Sequence, residues 1–263
     1  MTGRTVIVTG ASSGIGEATA RAFGRAGDRV VLTARRVDRL QRLASELPES
    51  LVVQADLTEP GAVDRIVGET LNRYQMIEVL VNNAGIGQYN WIEQLTEEEI
   101  RTEITLNLIA PILLTRAVLP SMLAQRRGVI INVSSVAGRI GTPTMAIYCA
   151  TKSGLHGASE ALYRELRPRG VHVCAIYPGG VKGTESGKRK RVRLMESPDW
   201  LRLRTEQVAM MIVALADRPR PRRIVPWFFS PVVAINSLLP GVVDAVTMRA
   251  ARRGRPAQRS APS

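Results

Sequence analysis

The chain has 263 residues, 45% of them hydrophobic and only two of them cysteines. This length suffices for one α/β domain, and the cysteine count does not indicate a disulfide framework. The formal net charge of +13 is uneven, because residues 1–181 carry 19 Lys/Arg and 17 Asp/Glu, whereas residues 182–263 carry 17 and 6. A strand beginning near Thr5 predicts that no signal peptide or N-terminal anchor precedes the domain, so we expect a cytoplasmic protein.

Short β-branched runs alternate with helical patterns along the chain. Strands are predicted at 5–9, 29–34, 51–55, 79–81, 129–133 and 171–176, and helices at 37–47, 96–125, 145–167 and 205–216, with another helix ending near Ala26. Alternation without hairpin signals predicts an α/β fold, a mostly parallel sheet covered by helices on both faces.

A glycine-rich turn, Gly10-x-x-x-Gly14-x-Gly16, joins the first strand to the first helix. Glycines let main-chain N–H groups approach a ligand closely, and a helix N-terminus favours a bound phosphate. The spacing differs from the commoner G-x-G-x-x-G, so a purely structural turn is the alternative.

The second strand ends in two arginines, Arg35 and Arg36, and no carboxylate follows before Asp38. In dinucleotide folds, an acidic residue here binds the ribose 2′-hydroxyl, whereas Arg accommodates a 2′-phosphate. The pattern favours NADP(H) over NAD(H), and the alternative is that both arginines are ordinary surface residues at a helix start.

Tyr148 and Lys152 lie four residues apart on the predicted helix and therefore share a face. A nearby ammonium favours the phenolate, so we expect Lys152 to lower the pKa of Tyr148 toward neutrality. The alternative is a half-buried Tyr beside a surface Lys. Two hydroxyls precede the pair, on Ser134 and Ser135, and the residues alone do not separate them.

Together these segments carry a resemblance to the short-chain dehydrogenase/reductases of about 250 residues. The motifs, in family order over about residues 4–181, are Thr9-Gly10-Ala11-Ser12-Ser13-Gly14-Ile15-Gly16, Asp56-Leu57, Asn82-Asn83-Ala84-Gly85, Asn107, Ser135, Tyr148-x-x-x-Lys152 and Tyr177-Pro178-Gly179. The resemblance implies a Rossmann-type doubly wound sheet of about seven strands, and a homodimer or homotetramer paired through the helices at 96–125 and 146–167.

The resemblance also implies roles for individual residues. Tyr148 would be the general acid, Ser135 would polarise the substrate oxygen, Lys152 would hold the nicotinamide ribose, and Asn107 would support a proton-relay water. The implied cofactor-binding residues are Gly10, Ser12, Ser13, Gly14, Ile15, Gly16, Arg35, Arg36, Asp56, Leu57, Asn83, Ala84, Gly85, Tyr148, Lys152, Pro178 and Gly179. The phosphate would rest mainly on Arg35, with Ser12, Ser13 or Arg36 helping. Thr184 comes one residue later than the family threonine, so the pattern does not predict it as a cofactor contact.

The chain is expected to divide into residues 1–221, the dehydrogenase domain with its substrate loop at 182–204, then 222–250 as a last strand and apolar segment of the same domain, and 251–263 as a disordered tail. Between Ile224 and Met248 the one formal charge is Asp244, and arginines flank the segment on both sides. Basic borders and interfacial aromatics suit a peripheral membrane contact through 222–253. The alternative is a seventh strand at 222–227 followed by packing over the substrate pocket or a partner subunit.

The sequence therefore predicts an NADP(H)-dependent oxidoreductase that interconverts a carbonyl and a secondary alcohol on an apolar substrate: lipid, steroid-like or ketoacyl. A 3-oxoacyl carrier-protein reductase, with the basic end docking an acidic carrier, is the enzymatic alternative. A non-catalytic NADP-binding sensor or scaffold is the alternative of another class. We expect no nucleic-acid binding, because no recognisable motif accompanies the basic runs, and no metal site, because His156 and His172 lack ligand-like partners.

Overall fold

The computed structural model describes residues 3–184 and 199–254. In chain order the strands and helices are β1 (Thr5–Thr9), α1 (Gly14–Arg25), β2 (Arg29–Ala34), α2 (Val37–Ala44), β3 (Ser50–Gln54), α3 (Ala62–Tyr74), β4 (Val79–Asn82), α4 (Glu97–Ile104), α5 (Ala110–Ala124), β5 (Gly128–Val133), α6 (Ala146–Leu166), β6 (Val171–Pro178), α7 (Thr205–Asp217), β7 (Arg222–Val225), α8 (Phe229–Leu238) and α9 (Pro240–Gly254).

These strands form one parallel sheet in the order β3-β2-β1-β4-β5-β6-β7. The predicted doubly wound, seven-stranded sheet is thus confirmed. The chain builds outward from β1 in one direction through β3 and in the other from β4 to β7. Connections leave the sheet on opposite sides at β1 and β4, which opens a crevice at the carboxyl ends of these two strands.

Both faces of the sheet are buried, which explains the continuous apolar runs of its strands. Val6 and Val8 of β1 pack with α1 and α7 on one side. Ile7, between them, points to the other side and packs with α3 and α5. The alternation of side chains along a strand therefore supplies two cores from a single run of β-branched residues.

Helices α4 and α5 form one continuous helical stretch. Thr96 starts it with a capping box, since the Thr96 hydroxyl accepts from the Glu99 N–H at 3.1 Å and the Glu99 carboxylate accepts from the Thr96 N–H at 3.0 Å. A π-helical turn, Thr105–Ile109, joins α4 to α5. By length and composition alone, Glu97–Ala124 could cross a membrane, but Leu114, Val118 and Met122 bury its inner face in the domain core.

The C-terminal segment departs from the sequence prediction in two places. β7 ends at Val225 rather than at residue 227, and two helices, α8 and α9, follow it, bent by 109° at their break. Helix α9 continues to Gly254, so residues 251–254 of the segment predicted as a disordered tail belong to this helix. The rest of that tail and most of the predicted substrate loop, residues 185–198, lie outside the described residues.

Candidate active site

A cavity of about 680 Å³ lies at the carboxyl ends of the central strands. Of the site residues predicted from the sequence, all but Gly16 and Asn107 line it. A second cavity, of about 750 Å³, lies at the opposite edge of the sheet beside Arg4, Asp28 and Glu78, and it contains none of the predicted residues. The topology thus gathers segments from the whole length of the chain into one site.

The glycine turn is tight enough to need its glycines. Gly10 and Gly14 have positive φ angles of 67° and 59°, a conformation that side chains other than glycine rarely adopt. A Cβ on Gly16 would lie 2.2 Å from the Gly10 carbonyl oxygen. This packing presses the start of α1 against the turn, so the N–H groups at the helix N-terminus face the cavity region where a phosphate could bind.

Arg36 bends back over the glycine turn. Its guanidinium donates to the Ser12 hydroxyl at 2.9 and 3.2 Å and to the Ser13 hydroxyl at 3.0 Å. Arg35 instead points toward Asp56, with 3.5 Å between the guanidinium and the carboxylate, and its side chain is 63% exposed. The structure therefore places Arg36, rather than Arg35, in a fixed position beside the turn.

The loop after β4 is tied to β1 by a residue that has no predicted role in the sequence analysis. The Thr9 hydroxyl accepts from the N–H groups of Asn83 and Ala84, each at 2.9 Å, and donates to the Val81 carbonyl at 3.2 Å. The Asn83 amide donates to the Thr9 carbonyl at 2.9 Å. These bonds hold the Asn83-Ala84-Gly85 segment against the glycine turn and form one wall of the cavity.

The structure separates the two serines after β5. Ser134 is buried and donates its hydroxyl to the main-chain carbonyl of Lys152 at 3.1 Å. The Ser135 side chain is instead hydrogen-bonded with that of Tyr148. Neighbouring residues in extended chain point in opposite directions, so the Ser134 hydroxyl anchors α6 and the Ser135 hydroxyl faces the phenol.

Tyr148 and Lys152 occupy the same face of α6, as predicted, with the Lys152 Nζ 5.7 Å from the Tyr148 ring centroid. Lys152 is buried and donates to the Val133 carbonyl at 3.0 Å. Burial raises the pKa of the Tyr148 phenol, and the hydrogen bond with Ser135 opposes that rise. The net shift of the Tyr148 pKa is therefore upward rather than downward as expected, because loss of hydration is the largest influence on it.

Burial also acts on the ammonium itself. It lowers the pKa of Lys152 to about 8, while the carboxylate of Glu103 opposes this change. A buried lysine whose pKa lies near neutrality can exchange protons under ordinary conditions. Glu103 has no predicted role, since a single carboxylate in a helical pattern carries no spacing signal.

Asn107 sits in the π-helical turn and is fully buried. Its amide oxygen accepts from the Ile86 N–H at 2.9 Å and its amide nitrogen donates to the Ile86 carbonyl at 2.7 Å. A Cβ on Gly85 would lie 3.0 Å from the Asn107 oxygen and 3.5 Å from the Lys152 Nζ. Gly85 thus leaves open the space between the amide and the ammonium.

Apolar side chains from the C-terminal helices close the remaining side of the cavity. Phe229 packs over the Pro178-Gly179 turn, since a Cβ on Gly179 would lie 2.5 Å from its ring. The other apolar lining residues from these helices are Val232, Ile235, Val242, Val243 and Val246. Tyr89, in the loop after β4, also lines the cavity, and its ring centroid lies 6.3 Å from that of Tyr148. Thr184, which the pattern does not predict as a contact, also lines it.

Comparison with known proteins decides the family. The family model described as short chain dehydrogenase matches residues 4–194. The chain belongs to the short-chain dehydrogenase family. This confirms the resemblance and the oxidoreductase class.

Similar members of the short-chain dehydrogenase family cover most of the chain. A 3-oxoacyl-[acyl-carrier-protein] reductase from Synechocystis is 39% identical over 184 residues, 68% of this chain and 74% of that protein. A short-chain dehydrogenase from Sphingobium yanoikuyae, solved in complex with NADPH, has a TM-score of 0.77, 32% identity and 99% coverage of both chains. A metagenomic short-chain oxidoreductase, solved in complex with NADP, has a TM-score of 0.73, 33% identity and coverage of 86% of this chain and 97% of that one.

Proposed function

We propose that this enzyme uses NADP(H) to interconvert a carbonyl and a secondary alcohol on an apolar substrate. The observation that carries the proposal is the meeting of Ser135, Tyr148 and Lys152 in the cavity that also contains the glycine turn. A hydroxyl, a phenol and an ammonium at one end of a dinucleotide-binding crevice supply what carbonyl reduction needs from the protein. They polarise the carbonyl, donate a proton and stabilise the developing charge.

The residues around the crevice suit a phosphorylated dinucleotide. Gly10, Gly14 and Gly16 place no side chain of their own between the main chain of the turn and a phosphate, and Gly85 keeps space free beside Lys152. Arg36, held by Ser12 and Ser13, would bind the 2′-phosphate, with Arg35 as a second cation. Similar chains were solved with NADP and NADPH, which supports the same cofactor. When bound, it supplies the hydride.

The protein's own groups then manage the proton. Tyr148 has a raised pKa, so it is protonated at neutral pH, which is the state that a proton donor for carbonyl reduction requires. Ser135 donates a hydrogen bond to the same substrate oxygen and stabilises its developing negative charge. The Tyr148 proton moves to that oxygen, and Lys152 stabilises the phenolate that remains. Lys152 and the space beside Asn107 form the route by which Tyr148 regains its proton.

The substrate class follows from the cavity walls. The C-terminal helices contribute Phe229 and five aliphatic residues to it, and within the described residues they bring no charged group to its lining. Such a wall favours a lipid, steroid-like or ketoacyl group next to the reacting carbonyl. The experiment is a panel of ketones and alcohols with NADPH or NADH and with their oxidised forms, followed spectrophotometrically for the wild type and Tyr148→Phe. Near-normal turnover by that variant would overturn the proposed chemistry.

A second candidate is reduction of a 3-oxoacyl group carried on an acidic carrier protein. The 39% identity to the Synechocystis 3-oxoacyl-[acyl-carrier-protein] reductase supports it, as does the basic C-terminal third of the chain. Rates with carrier-linked and free 3-oxoacyl substrates separate the candidates. A strong preference for the carrier-linked form, lost at high salt, would favour this alternative, because surface attraction between charges is screened by salt.

Helices α8 and α9 also present an apolar outer surface, which we assign to contact with a membrane. Its exposed apolar residues are Leu238, at 79%, Leu239, Val242, Val246 and Met248, and Trp227, exposed at 77%, lies just before α8. Val242 and Val246 also line the cavity, so the site opens at this surface. Exposed Arg249 lies on α9 three residues after Val246 and suits anionic headgroups. The cytoplasmic enzyme would thus take apolar substrates from a bilayer.

Flotation with phosphatidylcholine vesicles with and without phosphatidylglycerol tests this contact. Leu238→Asp should release the protein from anionic vesicles, whereas Met210→Asp, at an equally apolar and exposed position on α7, should not. If Leu238→Asp instead changes the mass measured by light scattering, the surface covers a second copy of the chain. Equal flotation of the two variants would refute the membrane contact.

Helices α5 and α6 supply the expected contact between subunits of a homodimer or homotetramer. Ile112 and Leu113 of α5 are exposed at 40% and 43%, and α6 exposes Ala150, Ser153 and Gly157 along one side. Small residues allow helices to approach closely, and the aliphatic side chains supply the apolar area. Ile112→Asp should lower the molecular mass in solution, and an unchanged mass would refute this pairing.

A further inference from the structure

Glu103 is a carboxylic acid with no accessible surface, four residues before Asn107. One oxygen, Oε2, accepts from the Gln88 main-chain N–H at 3.2 Å. The other, Oε1, is buried without a hydrogen-bond partner among the residues that the structure describes. Leaving a carboxylate oxygen unpaired in the interior costs free energy, so its position beside the active site calls for an explanation.

Glu103 and Asn107 act on the same loop. Asn107 holds the main chain of Ile86 through two hydrogen bonds, and Glu103 holds Gln88, two residues further on. One helical turn separates the two side chains, so they reach successive positions of the loop after β4. The next residue of the loop, Tyr89, packs against Tyr148. The Glu103 bond therefore helps to fix the loop that carries the cavity wall opposite the proton donor.

Glu103 also interacts electrostatically with the titratable groups that face it from α6, which are Lys152, Tyr148 and Cys149. From the loop it receives the uncharged Gln88 N–H, and Tyr89 lies against Tyr148. Burial raises the pKa of Glu103 to about 7, and Lys152 acts to lower it. The interior of this site therefore holds one acid and one base, Glu103 and Lys152, that both titrate close to neutrality.

We propose that Glu103 is a positioning residue for the reaction, which fixes the Ile86–Tyr89 loop through its main chain and holds Lys152 in its ammonium form. The inference rests on the proposed function. It goes beyond that function by adding a fully buried side chain, Glu103, behind Asn107, Ser135, Tyr148 and Lys152. In this arrangement Asn107 and Glu103 share the loop, and the buried carboxylate offsets part of the cost of placing an ammonium in the protein interior.

Two variants separate the two parts of this role. Glu103→Gln keeps an acceptor for the Gln88 N–H but removes the negative charge, whereas Glu103→Leu removes both. Glu98→Gln is the matched control, because it makes the same charge change on the same helix at an exposed position. Rates of ketone reduction at saturating NADPH between pH 5 and 10 give the readout.

For Glu103→Gln, the basic limb of the kcat/KM profile should move down by about one pH unit, since an opposite charge nearby shifts a pKa by that order. For Glu103→Leu, KM for the ketone should also rise at least about fivefold, the effect of one lost hydrogen bond. Neither change should occur in Glu98→Gln. A Glu103→Gln profile that coincides with the wild type would overturn the proposal, even if Glu103→Leu fails to fold.

The carbonyl panel shows whether the proposed function fails, independently of the role of Glu103. If the wild type reduces no carbonyl in the panel, the function is wrong, and the inference is then decided without turnover. In that case the denaturation midpoint is measured against pH. The midpoint of Glu103→Gln should rise relative to that of the wild type between pH 5 and pH 8, because the variant has no buried acid to ionise. Parallel curves for the two proteins would overturn the placement of a titrating acid at this position.

Discussion

Substituting Arg36 by alanine tests how the enzyme selects its cofactor. The guanidinium makes three contacts of 2.9 to 3.2 Å with the hydroxyls of Ser12 and Ser13, so it is already positioned beside the glycine turn before a phosphate arrives. A 2′-phosphate is present in NADPH and missing from NADH. The Arg36→Ala change should therefore weaken NADPH binding and leave NADH binding nearly unchanged.

The size of this effect follows from the kind of interaction. A hydrogen bond to a charged group contributes about 1.5–3 kcal/mol, which corresponds to about a 10- to 150-fold loss of affinity. Because Arg36 is held in place by two serines, little side-chain entropy is lost when it binds, which favours the upper part of this range. Arg35 is mostly exposed and pairs with Asp56, so Arg35→Ala should cost less.

Nucleotide fluorescence measures the dissociation constants for NADPH and NADH of the wild type, Arg36→Ala, Arg35→Ala and Arg42→Ala. Arg42 lies exposed near the end of α2. The Arg42→Ala substitution removes the same charge at a distance from the turn, so it serves as the control. Equal losses for NADPH and NADH in Arg36→Ala would refute the assignment of this residue to the 2′-phosphate. An equal loss in Arg42→Ala would show a general charge effect instead.

Three further predictions concern the proton path. Tyr148→Phe should lower kcat by about 10²–10⁴-fold, the usual contribution of a general acid, with an unchanged NADPH dissociation constant; loss of NADPH binding would indicate a structural role. Gly85→Ala places a Cβ 3.0 Å from the Asn107 oxygen and 3.5 Å from the Lys152 Nζ, so kcat should fall by about tenfold or more, and unchanged kinetics would show that this space is not needed. Glu103 has a folded-state pKa of about 7, above its ordinary 4.5, so its stabilising contribution is complete below pH 4.5 and is lost as pH rises to 7. The free energy of unfolding of the wild type should lose about 3 kcal/mol over this range relative to Glu103→Gln, as measured by urea denaturation, and parallel pH dependences would contradict it.

The effect of Lys152 on the pH dependence of stability has the opposite sign to that of Glu103. Its pKa is lowered to about 8 from 10.5, so folding disfavours the ammonium, and this cost is relieved as pH rises from 8 to 10.5. The combined profile has its lowest stability between pH 7 and 8. Glu98→Gln, which changes an exposed carboxylate on the same helix, is the control for both groups.

The sequence by itself determined the fold and the family, and most of the site residues that it predicted line the cavity. Alternating strand and helix patterns predict parallel connections, since they allow few other arrangements, and the observed sheet follows. Gly10 was predictable because a tight turn favours glycine, and Tyr148 and Lys152 could be placed on one face because residues four apart on a helix are neighbours, whereas their roles are what the family resemblance implies. Such local signals survive in a linear sequence because the atoms involved are neighbours along the chain.

Only the tertiary structure decided the questions that depend on which side chains from distant segments meet. It directed the Ser134 hydroxyl to α6 and the Ser135 hydroxyl to Tyr148, and it placed Arg36 rather than Arg35 over the glycine turn. It also reversed the expected shift in the pKa of Tyr148. Burial is a property of the packed molecule, and the cost of removing a phenol from water is the largest influence on the Tyr148 pKa. Glu103 shows the same limit, because its polarity is evident in the sequence, whereas its complete burial beside Lys152 depends on how α4 packs against α6.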